Sequence, residues 1–385
     1  MPYVKCSNDF RRIGHYVRAT SKDGNMTEEI ISYAIDPALQ SDERDEVCAL
    51  LARSGLDYEQ GVEAFVVFRR ARRLIACAGL EKNVVKCTAI DPELRGEALG
   101  LRLLTEVVHL AHERGHSHLF LYTKPENVDF FRSCGFYPLA EVPGYVTLME
   151  NTPIGIRSYC DGLRRLRHDG AVIGAIVMNA NPFTRGHRYL VDRAAAACDH
   201  LHVFVVAEDA SLISYRDRFA LVKSGIEGIP HLTLHPGSEY MVSRATFSAY
   251  FFKEKGVVGD CFTAIDLLLF RNWIAPALGI THRFVGTEPF CRTTHKYNAD
   301  MQHWLREDVS PAPAIAVVEI PRVVHDEVPI SASEVRRLLA TGDFARIGGL
   351  VPPATLALLM AKYRQDRPSA ARGGPGEAAV NRASA

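Results

Sequence analysis

Short apolar runs alternate with stretches of helical periodicity through the second half of the chain. The runs at 171–178, 201–207, 231–235, 283–286 and 314–320 have the length and apolarity of buried strands. Between them, 214–227, 243–255, 261–277 and 294–308 carry apolar residues at helical spacing. Strands that alternate with helices predict a parallel sheet with helices on both faces, and a ligand at the carboxyl ends of its strands. The first half has another pattern. Residues 41–54 predict an amphipathic helix with Val47, Leu50 and Leu51 on one side. Strands are predicted at 65–68, 74–80, 84–90 and 119–122, a helix running to about Glu113, and a short helix over 127–136 with Gly135 as a left-handed cap. Arg69, Arg70, Arg72 and Arg73 lie at the turn between the first two of these strands; they suit a solvated hairpin tip or, alternatively, an anionic docking surface. Pro153, Gly155, Gly162 and the basic run 164–168 mark a junction. The expected organisation is a first domain over 1–150, a junction over 151–170, a second domain over 171–365, and a disordered tail over 366–385 rich in Ala, Gly, Pro, Ser and Arg.

Composition sets bounds on function. The 385 residues are 47% hydrophobic and 23% charged, which suits a globular chain of about two or three domains. Forty-five basic and 45 acidic residues cancel, so the basic surplus of a nucleic-acid binder is missing; binding a small anion is left open. Nine cysteines at irregular spacing, with no CxxC pair, are the pattern of reduced thiols, and no Cys/His cluster has metal-ligand spacing. The start, Met1-Pro-Tyr-Val-Lys, has no apolar signal core, and no apolar run nears the roughly 20 residues of a membrane span. The expectation is a cytoplasmic protein with neither nucleic acid nor membrane as partner.

The stretch Asn179-Ala-Asn-Pro-Phe-Thr-Arg-Gly-His187 carries the chemistry. It joins the apolar run 171–178 to a helical stretch beginning near Gly186-His187. The first turn of a helix offers N–H groups and a partial positive charge to an anion. Gly186 removes the side chain where a phosphate must approach, and His187 adds a donor; alternatively, His187 merely caps the helix or faces solvent. A second such place is Ile330-Ser-Ala-Ser-Glu-Val-Arg336, where hydroxyls, first-turn N–H groups and a guanidinium can hold phosphates. Ser331 with Glu334 is equally an ordinary capping box.

The first stretch resembles the T/HxGH signature of the nucleotidyltransferase superfamily and the second its ISxSxxR signature, in the right order. The longer match, MNANPFTRGHRYLV with VGTEPF at 285–290, resembles the citrate lyase ligase family. The resemblance implies an α/β nucleotidyltransferase domain that attacks the α-phosphate of ATP, with Mg²⁺ carried on the nucleotide. It implies activation of acetate as acetyl-adenylate, followed by acetylation of a phosphopantetheine-like thiol on the acyl carrier subunit of citrate lyase. It assigns His187, Thr184 and Arg336 to the reacting phosphates. Asn179, Asn181, Pro182, Gly186, Glu288, Ser331 and Ser333 fall to the nucleotide. Asp217 and Arg218 resemble a segment lining the site in relatives, or else form a plain charge pair; Tyr297 and Asn298 match the ligase pattern as substrate-side contacts. The first domain resembles the GCN5-related acetyltransferase fold. Arg95-Gly-Glu-Ala-Leu-Gly100 stands where that fold has a pyrophosphate turn, with Ala98 replacing its central glycine. Three alternatives stay open: an adenylyltransferase of coenzyme synthesis, a ligase for the malonate decarboxylase carrier, and a non-catalytic nucleotide-binding protein.

Overall fold

The structure, a computed structural model, describes residues 15–16, 29–94, 98–207, 212–241, 255–287, 292–307, 310–325 and 328–363. Among these, eight strands build a first sheet: β1 (His15–Tyr16), β2 (Ile30–Ile35), β3 (Ala64–Arg70), β4 (Arg73–Glu81), β5 (Val84–Ile90), β6 (Phe120–Thr123), β7 (Tyr137–Val142) and β8 (Val146–Glu150), ordered β1-β2-β3-β4-β5-β6-β8-β7. Helix α1 (Ser41–Arg53) and helix α2 (Leu99–Glu113) cover opposite faces, which is why β3 and β4 are apolar almost throughout. Phe65 and Val67 pack toward Val47 and Leu50 of α1, while Val66 and Phe68 pack toward Leu103 and Val107 of α2.

All neighbours in this sheet are antiparallel except β5 and β6. Those two pair in parallel at Val84–Phe120 and Val85–Leu121 only. Beyond that point they form opposite walls of a cleft of about 780 Å³, closed off by the start of α2 and by α3 (Val128–Ser133).

Helix α4 (Gly155–Arg164) fills the stretch expected to be a junction. Its glycines and basic residues obscured an apolar stripe of Ile156, Cys160 and Leu163, all buried.

The second sheet holds β9 (Ile173–Met178), β10 (His200–Val205), β11 (Leu232–His235), β12 (His282–Gly286) and β13 (Ala316–Ile320), ordered β11-β10-β9-β12-β13 with every pairing parallel. This is the α/β architecture expected from the alternation. Helices α5 (Arg185–Ala195), α6 (Tyr215–Gly225), α7 (Lys255–Leu269), α8 (Ala275–Leu278), α9 (Arg292–Arg306), α10 (Ala332–Thr341), α11 (Phe344–Leu350) and α12 (Pro353–Tyr363) accompany it. The order of strands reverses between β9 and β12, the place where such sheets open a ligand crevice. These two strands pair only at Gly174–His282 and Ala175–Arg283, so their carboxyl ends are not tied together. The predicted helix over 243–255 falls, up to 254, outside the described residues, as does the tail.

The two sheets share a core. Tyr122, Leu139, Val142 and Leu148 of the first cluster with Cys261, Ile265 and Leu268 of α7, and the Trp273 indole N–H donates to Leu139 O at 2.9 Å. Burying this much apolar surface ties the first sheet to the helices of the second.

Candidate active site

The loop leaving β9 is held from beneath by one arginine. Arg218 is fully buried on α6, and its guanidinium donates to the carbonyls of Asn179 (2.8 Å), Ile213 (3.1 Å) and Val206 (2.9 Å) and to Asn179 Oδ1 (2.7 Å). Asn181 Oδ1 in turn accepts from the Ile213 N–H at 3.2 Å. Both asparagine side chains therefore bond to protein and fix the loop. The Asn181–Pro182 peptide is cis, and Pro182 and Phe183 are buried beneath the turn.

Helix α5 then begins with an unusual cap. Thr184, only 1% exposed, is the N-cap, and its hydroxyl accepts from His187 N–H at 3.3 Å. The reciprocal bond of this capping box comes from a histidine where glutamate or glutamine is usual: the Thr184 backbone N–H donates to His187 Nδ1 at 3.0 Å. The Thr184 hydroxyl lies 2.8 Å from the same nitrogen. A nitrogen that accepts from an amide N–H carries no proton, so the neutral ring bears its hydrogen on Nε2. Burial, reinforced by the charge of Arg322, lowers the His187 pKa to about 4. The ring stacks on Phe183, with centroids 5.6 Å apart. Near neutral pH His187 is thus an oriented neutral donor. Thr184 is turned inward, onto the ring.

The second segment meets the first. A Cβ placed on Gly186 would come within 3.2 Å of Ile330 O, so the start of α5 and the turn before α10 are in near contact. Ser331 caps α10 by accepting from Glu334 N–H at 3.1 Å. Arg336 spans the two segments, donating to Asn181 O at 2.6 Å and to Ser333 Oγ at 2.9 Å. His187, Thr184, Asn179, Asn181, Pro182, Gly186, Ser331, Ser333 and Arg336 therefore gather around one place at the carboxyl end of β9. Glu288 lies outside the described residues, as do Arg95, Gly96 and Glu97 of the first-domain turn.

The remaining candidates separate. Asp217 pairs at the surface with Lys362 and with the Ser214 hydroxyl, which together hold its carboxyl below the usual range. Tyr297 turns into the core to bond Asp266, and Asn298 holds Gly286 O at 3.1 Å at the end of β12. Sequence reasoning missed Arg322, just past β13, whose Nε donates to Thr287 O at 2.6 Å. No motif signals it, since a short hairpin separates it from the ISxSxxR segment. Among the described residues no group of three or more His, Cys, Asp or Glu side chains can hold a metal ion, and no helix is long and apolar enough to cross a membrane.

The cleft of the first sheet is a second concavity, lined by Val85, Ile90, Leu99, Leu121 and Phe130 among others. Helix α2 starts there with Ala98 as N-cap and no side-chain cap bond. At Gly100 a Cβ would fall 2.3 Å from the Phe130 ring, so helix and aromatic pack without a gap.

Comparison with known proteins gives separate matches in the two parts of the chain. A family model described as the citrate lyase ligase C-terminal domain matches residues 173–359, and one described as the acetyltransferase (GNAT) family matches residues 27–136. A protein of Escherichia coli (strain K12) named [citrate [pro-3S]-lyase] ligase is 51% identical over 326 residues, covering 85% of this chain and 93% of its own. Proteins of the same name from Klebsiella pneumoniae and Haemophilus influenzae are 51% and 47% identical, covering 82% and 80% of this chain and 92% of each relative.

Proposed function

This chain belongs to the citrate lyase ligase family, an acid–thiol ligase, and we propose that it works by adenylylating acetate with ATP and passing the acetyl group to a carrier-bound thiol. In the first half-reaction a carboxylate oxygen of acetate forms a bond to the α-phosphorus. The bond from that phosphorus to the bridging oxygen breaks, and pyrophosphate leaves with the electron pair. In the second, a thiolate attacks the acetyl carbonyl and AMP departs with its phosphate oxygen. The carrier subunit of citrate lyase, bearing a phosphopantetheine-like arm, is the proposed acceptor.

Such a reaction needs positioning and charge stabilisation more than covalent help. Nε2–H of His187 would donate to an α-phosphate oxygen as charge builds there. Gly186 and the first turn of α5 would admit that phosphate closely, while Ser331, Ser333 and the first turn of α10 would receive the β- and γ-phosphates. Mg²⁺ would arrive on the phosphates, retaining most of its waters. The cleft between β5 and β6, apolar along its walls and bounded by strand edges whose mutual pairing has ended, suits an extended amide-bearing arm. In this reading the first domain serves the acceptor rather than acetyl-CoA chemistry.

The observation that carries the proposal is the apposition of Gly186 with Ile330 O, bridged by the Arg336–Asn181 bond. The test is incubation of the enzyme with ATP-Mg, labelled acetate and deacetylated citrate lyase. Label should appear on the carrier subunit, with acetate-dependent ATP–pyrophosphate exchange when the carrier is omitted. His187→Ala should lower exchange about 10²–10³-fold. Label on the malonate decarboxylase carrier alone would reassign the partner, and ATP binding without exchange would favour a nucleotide-binding protein.

A further inference from the structure

We propose that Arg283 receives the carboxylate of acetate in the crevice where β9 and β12 part, an inference that rests on the adenylylation reading above. The two strands bond only at Gly174–His282 and Ala175–Arg283, so Arg283 stands at the last tied pair, on the floor of the fork. Side chains in register on a parallel sheet share a face, so Arg283 and Ala175 point to the same side. On that side the next residues toward the carboxyl ends are Val177 and Val285, both part-exposed, whereas Ala175 and Arg283 are buried. A Cβ on Gly286 would meet no described atom within 4 Å, so open space borders the end of β12.

Arg283 is only 4% exposed, yet its Nε and Nη1 have no hydrogen-bond partner among the described residues. The other arginines buried to this degree there are bracketed by backbone. Arg218 donates to three carbonyls, and Arg271 donates to those of Trp304, Glu307, Ala312 and Pro313. The Arg283 guanidinium instead lies over the ring of Phe270, which follows α7, at 4.5 Å from its centroid. The ring covers one face of the planar group and leaves the in-plane N–H donors unanswered. Burial lowers the pKa of this arginine from its usual value, with Tyr297 and Asp266 opposing. Those two groups answer each other, the Tyr297 hydroxyl donating to Asp266 at 2.5 Å. A buried cation with unmet donors is costly to keep, and an anion satisfies both its charge and its donors. A carboxylate brings two coplanar acceptors that match the arginine fork.

The height of the guanidinium suits this substrate. Phe270 also meets the Phe204 ring edge-on, with centroids 6.4 Å apart, and Phe204 is in register with Val177. The charge therefore lies near the level of Val177, two residues short of Asn179, a rise of about 7 Å. A two-carbon acid is of that size. Seated on Arg283, acetate rests its methyl on Val177 and Val285, which belong to the same apolar cluster as Phe270. One carboxylate oxygen then faces up the crevice toward the loop that begins at Asn179. That oxygen forms the bond to the α-phosphorus, the bond to the bridging oxygen breaks, and pyrophosphate leaves with the electron pair. Arg283 exchanges no proton in this step; it fixes the nucleophile and keeps its charge.

The test uses full-length enzyme carrying Arg283→Met or Arg283→Lys. KM for acetate and for ATP-Mg are measured in acetate-dependent ATP–pyrophosphate exchange, and thermal melts are run in acetate and in chloride. Arg283→Met should raise KM for acetate about 10–100-fold, as loss of a charge-assisted carboxylate bond does, and leave KM for ATP-Mg within about threefold of wild type. In chloride the methionine variant should melt no lower than wild type, because methionine fills the site and removes an unpaired buried charge. Acetate should raise the Tm of wild type and not that of this variant. Arg283→Lys, a point charge without the planar fork, should give a KM for acetate between the two. KM for acetate within about threefold of wild type in Arg283→Met, or an equal rise in both KM values, overturns the proposal. Should the methionine variant fail to fold, the lysine variant decides: KM for acetate raised at least about fivefold with KM for ATP-Mg unchanged supports the proposal, and unchanged KM for acetate opposes it. Wild-type enzyme without acetate-dependent exchange would refute the adenylylation reading separately. In that event the melts decide for Arg283: an acetate-dependent rise in Tm lost in the methionine variant sustains the carboxylate site, and melts that acetate leaves alike in both proteins overturn it.

Discussion

Replacing Thr184 with valine separates two roles that the T-x-G-H pattern leaves merged. Valine keeps the volume and branching at a site 1% exposed, so no cavity opens. What goes is one oxygen, with its bond from His187 N–H at 3.3 Å and its 2.8 Å contact to Nδ1. Loss of an N-cap hydroxyl costs about 1 kcal/mol, which for a domain of this size lowers Tm by about 2–4 °C. The Thr184 backbone N–H still reaches Nδ1 at 3.0 Å, so the tautomer with hydrogen on Nε2 survives. Only the precision of the ring is reduced, and acetate-dependent exchange should fall less than about tenfold, against 10²–10³-fold for His187→Ala. Thr184→Ser should restore both quantities. Thermal melts and exchange kinetics on the same preparations check this. A valine variant with unchanged Tm and a hundredfold slower exchange would mean that the hydroxyl acts on substrate, and the positioning argument would be wrong.

Gly186→Ala sets alanine's helix preference of about 1 kcal/mol over glycine against a tight contact with a backbone oxygen, so stability should change little. Its methyl sits 3.2 Å from Ile330 O and narrows the cradle, so exchange should fall at least tenfold; a fully active variant would dismiss the cradle. Since His187 has a pKa of about 4, exchange should show no limb near pH 6.5, and a limb there that vanishes in His187→Gln would contradict a neutral donor. His200, His202 and His235 lie together on β10 and β11, and burial first, then neighbouring histidines, lower their pKa values to about 4, 3 and 4. The folded state refuses protons that the unfolded chain takes up below about pH 6.5. Stability is therefore complete above that pH and falls on acidification by up to about 1.4 kcal/mol per pH unit per residue. Denaturant melts of His202→Asn should show a shallower acid limb. His118 runs the other way: against its burial, hydrogen bonds that it donates to Glu150 and Glu239, each 2.8 Å away, raise it from 6.5 to about 9. Its contribution is complete below pH 6.5 and is lost as pH rises through 9, so His118→Gln should flatten the alkaline limb of the same melts.

The parallel sheet was legible because its strands are short, largely apolar runs buried on both faces, as β9 is. Gly186, His187, Ser331 and Arg336 were legible because close backbone approach and first-turn donors need particular residue types at short range. What escaped depends on tertiary placement. Arg218 looked like one member of a surface charge pair with Asp217. Its neighbour does pair outward with Lys362, but Arg218 itself points inward as a bracket for three separate carbonyls. Arg322 has no local pattern because its anchor is Thr287, across a strand pairing. Helix α4 was masked by two glycines and a basic run that read as a linker, though its apolar stripe decides the outcome once Leu148 and Ile274 supply a surface. The histidines of β10 and β11 passed unnoticed because alternation scores them as polar positions, whereas here they pack ring on ring.

The capping box of α5 gives Thr184 a structural part at the start of the T-x-G-H stretch. A cap must satisfy a backbone donor at the start of the helix, and a phosphate site needs a donor aimed outward from the same turn. One imidazole does both here, accepting on Nδ1 from Thr184 and presenting hydrogen on Nε2. That bond is compatible only with an unprotonated Nδ1, so the ring that caps the helix cannot also be the cation. Burial drives it the same way. Under the proposed adenylylation, the positive charge for a leaving pyrophosphate then has to come from groups that do not titrate near neutrality, a condition that arginine meets. Arg336 reaches the loop before α5 from within α10, donating to Asn181 O outside the cap itself. In the proposed reaction, separating the neutral donor from a fixed cation lets each be held in one protonation state, so the electrostatics would be set before substrate arrives.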